Sequence, residues 1–180
     1  MSSFDDSQTL IKSVHNISDY VRTIIPCEEL DFTPSFKETL SWWTVASKNN
    51  TRLPSRKDLN PKDLFRTLPN LSLFDIIYEG PKLVNLRTRL IGTKLTPIYG
   101  EVTGKLVTDL ENPYVITGIL NGCQESIKKR GPVAITAKAI SEDMPFMKSY
   151  ALYCPLSSDG EHIDKFLIVV HFENLADSAG

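Results

Sequence analysis

The 180-residue sequence predicts an α+β domain in which helices pack on an antiparallel sheet. Helical patterns dominate before residue 70. After residue 70 the sequence predicts five extended segments, two joined by a short turn and three more nearer the C-terminus. Strands that are joined as hairpins run antiparallel. The last extended segment, residues 162–173, is apolar on both faces, so we expect helices on both sides of the sheet.

The N-terminal 30 residues predict an amphipathic helix that ends before Pro26. Apolar residues that alternate four and three positions apart form one helical stripe, namely Leu10, Val14, Ile17, Val21 and Ile24. Two interpretations remain open. The helix covers its own domain, or its stripe is a dimer or partner surface.

A second helix is predicted to begin at Pro34, with Thr33 as its N-cap. Its apolar face consists of Phe36, Leu40 and Trp43. A short third helix is predicted from the same chemistry, with Asn60 as the cap and Pro61 at the first helical position, and it should end before Pro69.

The remaining chain alternates between strand and helix patterns. The predicted strands are 71–78, 83–91, 133–141, 147–157 and 162–173, and the predicted helical segments are 93–99 and 113–130. The turn at residues 157–160 favours a hairpin between the last two strands. Residues 174–180 are predicted to be a flexible tail.

Composition excludes several classes of function. The net charge of −2 gives no global attraction to nucleic acid. No segment has the roughly 20 apolar residues of a membrane span, and the N-terminus carries acids where a secretory signal carries bases. The cysteines, Cys27, Cys123 and Cys154, are odd in number and far apart. We therefore expect a cytoplasmic protein.

Six stretches carry a resemblance to a known family. They are Trp42-Trp43 and residues 52–61, 68–75, 87–93, 99–104 and 155–160. Together with the element order, they resemble one branch of the PAS domain superfamily, which consists of short, mostly stand-alone bacterial PAS-like proteins. The most specific stretches are residues 53–61 and 89–93.

This resemblance implies a PAS-like domain over residues 31–173, with a five-stranded antiparallel sheet in the strand order 2-1-5-4-3. The helices of residues 93–130 would cover one face, and the N-terminal helices would extend from the domain or cover the other. PAS domains hold a small ligand between helices and sheet, or fill that space with side chains. Most are sensory or protein-interaction modules without catalysis.

The cofactors of PAS domains find little support in the sequence. Haem needs an axial ligand such as histidine on the helix before the third strand, and residues 113–130 contain none. Flavin photosensing needs a reactive cysteine in a specific motif. Cys123 has part of that motif but lacks its arginine and aromatic residue, so a buried structural thiol is the simpler interpretation.

Metal and catalytic motifs are also missing from the sequence. The adjacent acid pairs Asp5-Asp6 and Glu142-Asp143 do not have ligand spacing, so we expect no metal site. Neither a Gly-x-Ser-x-Gly elbow nor an HExxH motif occurs. The sequence therefore predicts a protein that is not an enzyme.

Six residues are candidates for lining a ligand pocket by their positions in the resembled fold. They are Leu86, Arg89, Thr93, Tyr99, Tyr114 and Tyr150. Core packing is the alternative for each aromatic residue. Tyr150 and Tyr153 lie on opposite faces of their strand, so at most one of them faces the pocket.

Three charged residues suggest a structural clasp. Arg56 would pair with Asp58 or Asp75 and pin the N-terminal segment to the sheet, although contact with an anionic ligand is an alternative. Arg89 has the same two interpretations, and its face of the strand can be the one opposite the pocket.

These observations favour a single-domain sensory module that binds a small organic ligand and signals to a partner protein. The N-terminal helix would report the ligand-bound state. A second hypothesis is a ligand-free interaction adaptor that dimerises through that helix. A third, a small enzyme, requires a convergent acid–base pair that the sequence does not supply.

Overall fold

An antiparallel sheet of six strands runs through the residues that the computed structural model describes, which are 22–138 and 147–175. The strand order is β1-β4-β5-β6-β2-β3. The strands are β1 (Arg22–Ile25), β2 (Leu71–Glu79), β3 (Lys82–Ile91), β4 (Val133–Lys138), β5 (Met147–Leu156) and β6 (Lys165–Asn174).

Three α-helices accompany the sheet within the described ranges: α1 (Pro34–Ala46), α2 (Thr96–Tyr99) and α3 (Pro113–Lys129). Short 3₁₀ turns lie at Cys27–Leu30, Arg56–Asp58, Leu68–Asn70 and Val107–Asp109. The predicted start of α1 is confirmed, because the side chain of Thr33 accepts a hydrogen bond from the amide of Phe36.

The five strands predicted from the sequence are β2 to β6, and their predicted order is confirmed. β2 and β3 form one hairpin, and β4, β5 and β6 are successive antiparallel neighbours. The α+β class is confirmed as well. The sheet has one strand more than predicted, since β1 is added beside β4.

Helices cover both faces of the sheet, as the apolar last strand predicted. On β6, Ile168 and Val170 face α3, while Leu167 and Val169 face the side of α1, and all four are buried. Phe36 brings α1 against the ring of His171 on β6. The sheet is therefore the middle layer of three.

The predicted N-terminal helix is wrong for its last residues, because Arg22–Ile25 form β1. The strand pairs with the edge of β4, from Arg22 opposite Ala137 to Ile25 opposite Ala134. β-branched residues favour a strand where an unpaired sheet edge offers hydrogen bonds. Ile24 lies in this strand with 57% of its surface exposed. The other stripe residues, Leu10, Val14, Ile17 and Val21, lie outside the described residues.

β1 also bears on the predicted domain boundaries. It precedes residue 31, where the predicted domain begins, yet it belongs to the same sheet as β2 to β6. At the other end, β6 continues to Asn174, where the predicted tail begins.

The third predicted helix is also wrong, since residues 61–67 form successive turns. Asn60 does cap a turn, with its side chain accepting from the amide of Lys62 at 3.1 Å. A cap cannot sustain a helix without an apolar stripe to bury. Here Leu64 is fully buried, whereas Phe65 is 75% exposed.

The helix predicted over residues 93–99 is shorter than expected. Only Thr96–Tyr99 is helical, and it ends at Gly100, whose φ of 81° lies in the left-handed region. The long predicted helix is confirmed as α3, which ends at Arg130 with a left-handed φ of 53°.

Candidate functional site

A small cavity lies between the sheet and α3. Its volume is about 60 Å³. Four strands, both neighbouring helices and the added strand β1 contribute to its wall. The lining residues are Arg22, Ser72, Phe74, Tyr99, Tyr114, Val115, Gly118, Ile119, Ile135, Ala137, Ser149, Ala151, Tyr153, Ile168, Val170 and Phe172.

The cavity exists because small residues occupy the positions where larger side chains would meet. Ala137, Ser149 and Ala151 supply the sheet wall on β4 and β5, and Gly118 lies in the wall from α3. Side chains on one face of a strand recur at every second position, so Ser149, Ala151 and Tyr153 face the same way. A run of short side chains beneath a helix leaves space that the helix backbone cannot fill.

Aromatic side chains enclose this space. The hydroxyl of Tyr153 donates to the carbonyl of Gly118 on α3 at 3.2 Å, which ties β5 to the helix. The ring of Tyr99 meets that of Phe172 edge-on, with centroids 6.0 Å apart. The tyrosine rings combine apolar surface with a polar hydroxyl, a combination that is common in ligand pockets.

α3 begins directly at the cavity. Asn112 caps it, with its side chain accepting from the amides of Tyr114 at 3.0 Å and Val115 at 3.3 Å. Pro113 occupies the first helical position. This start fixes Tyr114, which is buried and lines the cavity.

β1 reaches the same helix from the edge of the sheet. Nη1 of Arg22 donates to the carbonyl of Thr117 at 3.2 Å. Arg22 is the only charged side chain among the described residues that line the cavity. Its role was not visible in the sequence, because the apolar spacing around it predicted a helix.

Two predicted pocket residues, Tyr99 and Tyr114, line the cavity, whereas Tyr150 does not. The hydroxyl of Tyr150 donates to Glu173 at 3.0 Å, and its ring meets Phe32 at a centroid distance of 4.8 Å. Tyr150 therefore belongs to the opposite face of β5. Tyr153 lines the cavity in the place predicted for Tyr150, and the two lie on opposite faces of β5 as the sequence indicated.

The other three predicted pocket residues also lie away from the cavity lining. Leu86 is fully buried in the core on the side of α3. Thr93 is exposed, and its carbonyl accepts from the hydroxyl of Thr96 at 3.1 Å. Arg89 pairs with Asp75, whose neighbour Phe74 lines the cavity. Arg89 therefore lies on the face opposite the cavity.

Asp75 is the centre of an ion-pair cluster on that opposite face. It accepts from Arg89 and, at 2.7 Å, from Nζ of Lys165. Burial alone would raise the pKa of this carboxyl, but the hydrogen bonds from Lys165 and Arg89 outweigh it and hold the pKa below its ordinary value. The cluster joins β2, β3 and β6.

The predicted clasp through Arg56 is not formed. Arg56 donates to the carbonyl of Leu59 at 3.3 Å, and Asp58 pairs with Arg52 at 2.9 Å. Asp58 also accepts from the amide of Ser55 at 2.8 Å, which closes a capping box. Local capping therefore uses the carboxylate that the sequence assigned to Arg56.

Main-chain groups pin this segment instead. The indole of Trp42 donates to the carbonyl of Asp58 at 3.2 Å, and the amide of Ser157 donates to the carbonyl of Pro54 at 2.8 Å. Residues 52–61 are therefore held to both α1 and the end of β5. Hydrogen bonds that end on backbone carbonyls leave no signature in the side-chain types of a sequence.

Cys123, the cysteine weighed for flavin chemistry, lies on α3 and is fully buried outside the cavity lining. Burial raises the pKa of its thiol well above the ordinary value. Within the described ranges, no cluster of three or more histidine, cysteine, aspartate or glutamate side chains is arranged to hold a metal ion. In the same part of the chain, no helix has the length and apolar character needed to cross a membrane.

Comparison with known proteins gives one result. A family model described as a PAS domain matches residues 32–170. The match begins between β1 and α1 and ends within β6. No curated protein and no solved structure matches the chain.

Proposed function

The chain belongs to the PAS domain family, and on that premise we propose that it senses a small molecule in the cavity between the sheet and α3. PAS domains in general are sensory or regulatory modules rather than catalysts. The ligand would be an organic molecule of few atoms, and the output would be a contact with a partner protein or a second copy of the chain in the cytoplasm. No catalytic step is part of the proposal.

The cavity is the observation that supports this function. It combines apolar walls from Ile135, Ile168 and Val170 with hydroxyl groups from Tyr114 and Ser149. Ligand sites in proteins are concave, mostly apolar, and contain a few placed polar groups. A cavity of this composition favours a molecule with an apolar body and a polar end.

Signalling would follow from differential binding. A ligand that fits better under one position of α3 shifts the population toward that position. Hydrogen bonds from Tyr153 and Arg22 connect α3 to β5 and β1. A shift in the position of α3 would therefore move these strands of the sheet as well. β1 continues directly into the N-terminal residues, which makes them a candidate route to the partner.

The size of the cavity favours a second candidate, a ligand-free adaptor. Typical ligand pockets span roughly 300–1,000 Å³, and this cavity has about 60 Å³. A void of that size can also be ordinary imperfect packing in a module that acts only through its surface. The two candidates differ in what happens when the cavity is filled.

Filling the cavity by substitution separates them. In Ser149→Leu, a larger side chain enters the cavity from β5, whereas Ser158→Leu adds the same side chain at an exposed position in the loop after β5. Native mass spectrometry and an absorption spectrum of the freshly purified wild-type protein identify any bound molecule. Titration followed by amide NMR spectra then measures its affinity for each protein.

Under our proposal, wild type and Ser158→Leu bind the molecule saturably, and Ser149→Leu does not bind it while keeping a folded spectrum. Loss of binding should also remove any ligand-dependent change in self-association or partner capture. If no molecule binds the wild type saturably, and Ser149→Leu associates as the wild type does, the adaptor is correct and the sensing proposal fails.

A further inference from the structure

A second and larger concave site lies beside the C-terminal end of α3. Its volume of about 530 Å³ falls within the roughly 300–1,000 Å³ of typical small-molecule sites. Its wall comes from the turn after β1, the second half of α1 with the following loop, the end of α3, and the loop before β6. Among the described residues, it shares none with the wall of the smaller cavity. We call it the end cleft, and its lining residues are Cys27, Glu28, Leu40, Trp43, Thr44, Asn50, Thr51, Arg52, Leu53, Lys129, Arg130, Gly131, Pro132 and Gly160.

The charges in the wall of the end cleft are mostly positive. Arg52, Lys129 and Arg130 contribute cations. Glu28 is the only acid among the described residues of this wall. Asp58 neutralises part of the charge of Arg52, since the two form an ion pair at 2.9 Å. The net positive charge therefore comes from Lys129 and Arg130, and a cleft lined by one sign of charge attracts a ligand of the opposite sign.

Carbonyl groups hold these two cations at the wall without neutralising them. Nζ of Lys129 donates to the carbonyl of Pro132 at 2.9 Å, and Nη2 of Arg130 donates to the carbonyl of Glu161 at 2.8 Å. Within the described ranges, neither cation forms an ion pair. An ammonium has three N–H donors and a guanidinium has five, so both side chains retain donors for a ligand.

Left-handed backbone turns shape the same cleft. In the described part of the chain, the non-glycine residues with positive φ are Lys48, Asn49, Asn50 and Arg130. Asn50 and Arg130 line the cleft, and the other two directly precede Asn50. Such conformations are costly for residues with a side chain, and they are found most often at ligand sites. Their position here agrees with a binding role for the cleft.

A role at the helix dipole fits Lys128 better than its two neighbours. Positive side chains in the last turn of a helix are stabilised by the dipole. Lys128 is exposed, pairs with Glu125 at 3.3 Å, and lies outside the wall of the cleft. Lys129 and Arg130 instead donate to carbonyls that lie beyond the helix. Lys128 is therefore a natural control for them.

We propose that the end cleft binds a small phosphorylated molecule rich in hydroxyl groups, of the size of a sugar phosphate. The phosphate would lie between Lys129 and Arg130, because a guanidinium pairs its N–H groups with phosphate oxygens and an ammonium binds them as a point charge. The hydroxyl groups would meet the polar side chains of Thr44, Asn50 and Thr51. This site is independent of the proposed sensing cavity.

The wall favours a sugar over a flat aromatic body. Among the described wall residues, Trp43 is the aromatic one, and only 3% of its surface is exposed. Its indole N–H donates to the side chain of Asn50 at 3.0 Å, so the ring is fixed below the surface and offers no open face for stacking. A water molecule takes about 30 Å³ in the liquid, so the cleft holds roughly 15–20 water-sized groups. A pentose or hexose phosphate is of this size.

The test compares sugars with their phosphate esters. Glucose 6-phosphate, fructose 6-phosphate and ribose 5-phosphate are titrated into the full-length ¹⁵N-labelled protein beside the parent sugars and inorganic phosphate, at constant ionic strength. We expect a Kd of about 0.1–1 mM for the best ester, with amide shifts at residues 50–53 and 129–132. The parent sugar and inorganic phosphate should each bind at least about tenfold more weakly, because each lacks part of the contacts.

Charge variants assign binding to the cleft. Lys129→Gln and Arg130→Gln should each weaken binding of the best ester about ten- to a hundredfold and change binding of its parent sugar little. Arg130→Lys keeps the charge without the paired geometry and should lie between Arg130→Gln and wild type. Lys128→Gln removes the same charge outside the wall and should weaken binding less than about twofold, since solvent and salt screen it. Ser149→Leu, which fills the smaller cavity, should bind as wild type does.

The contrary results are equally specific. Equal losses in Lys128→Gln and Lys129→Gln would mean general attraction to a basic helix end, and would overturn the site. Inorganic phosphate that binds as tightly as the esters, or sugars that do so, would overturn the proposed ligand class. If no ester shifts the spectrum, the inference fails, and the cavity-filling experiment still decides the sensing proposal separately. Should Lys129→Gln lose its folded spectrum, the Arg130 variants and the comparison of ligands in wild type decide the inference.

Discussion

The phenol ring of Tyr153 lies directly against the backbone of Gly122. A Cβ atom at position 122 would overlap three carbons of that ring. The close approach brings α3 down onto β5, where the hydroxyl of Tyr153 meets the carbonyl of Gly118 one helical turn earlier. The spacing between helix and sheet at the cavity is thus set by a residue without a side chain.

Gly122→Ala should therefore destabilise the protein and disturb the cavity. Alanine is the better helix former, so an exposed site would gain stability. At position 122 the overlap with Tyr153 should cost about 2 kcal/mol in the free energy of unfolding. Urea unfolding measures it. Gly131→Ala is the matched control, because nothing lies within 4 Å of a Cβ atom there. Equal stabilities of the two variants would contradict the close packing.

Gly92 explains why residues 68–75 and 87–93, two of the stretches that carry the family resemblance, occur together. A Cβ atom at Gly92 would overlap the carbonyl groups of Leu68 and Pro69, and the amide of Gly92 donates to Leu71 at 2.7 Å. We expect Gly92→Ala to lose about 2 kcal/mol or more, because backbone atoms cannot move aside as a flexible side chain can. Thermal unfolding against the Gly131→Ala control tests this. A Tm for Gly92→Ala within a degree of the control would rule out the contact.

Asp58, rather than Arg56, should hold the segment that precedes β2. Asp58→Ala removes the capping bond to Ser55 and the ion pair with Arg52. We expect a loss of about 1 kcal/mol, the usual value of a capping residue. Arg56→Ala should change the stability by less than about 0.5 kcal/mol, since its side chain is exposed and bonds one nearby carbonyl. Chemical denaturation of both variants compares the two, and the reverse order would restore the clasp predicted from the sequence.

The sequence was sufficient for the five strands β2 to β6, because their hairpin turns and apolar faces are local features. It failed at β1, where Ile24 completes an apolar spacing that fits a helix. The deciding interaction is the pairing of β1 with β4, more than 100 residues later in the chain. Local periodicity contains no information about an edge that long-range folding leaves open.

The cavity was predictable in part. Tyr99 and Tyr114 followed from the position of the two helices, and the choice between Tyr150 and Tyr153 depended on which face of β5 meets α3. Both faces of that strand are covered, as the ring contacts of Tyr150 show. The hydrophobic pattern therefore could not select a face, and the small residues Ser149 and Ala151 were the available signal.

Two histidines should titrate on opposite sides of the ordinary value of about 6.5. Nδ1 of His162 lies 2.7 Å from Asp159, and this hydrogen bond raises the pKa of His162. Burial lowers the pKa of His171, against the weaker opposing effect of Glu173. NMR titration of the imidazole protons, assigned with His162→Gln and His171→Gln, should place the midpoint of His162 above that of His171.

Asp159→Asn supplies the causal test. The variant should lower the pKa of His162 toward its ordinary value and leave that of His171 unchanged.

The two shifted histidines make the stability of the fold depend on pH in opposite directions. The pair of His162 with Asp159 stabilises the fold fully below about pH 6.5, and this contribution disappears as the pH rises through the raised pKa of His162. His171 acts in the opposite sense, because protonating a half-buried imidazole costs stability as the pH falls below the ordinary histidine pKa of about 6.5. The destabilisation caused by Asp159→Asn should therefore be larger at pH 5.5 than at pH 8.5, and a difference that grows with pH would show that His162 does not depend on Asp159.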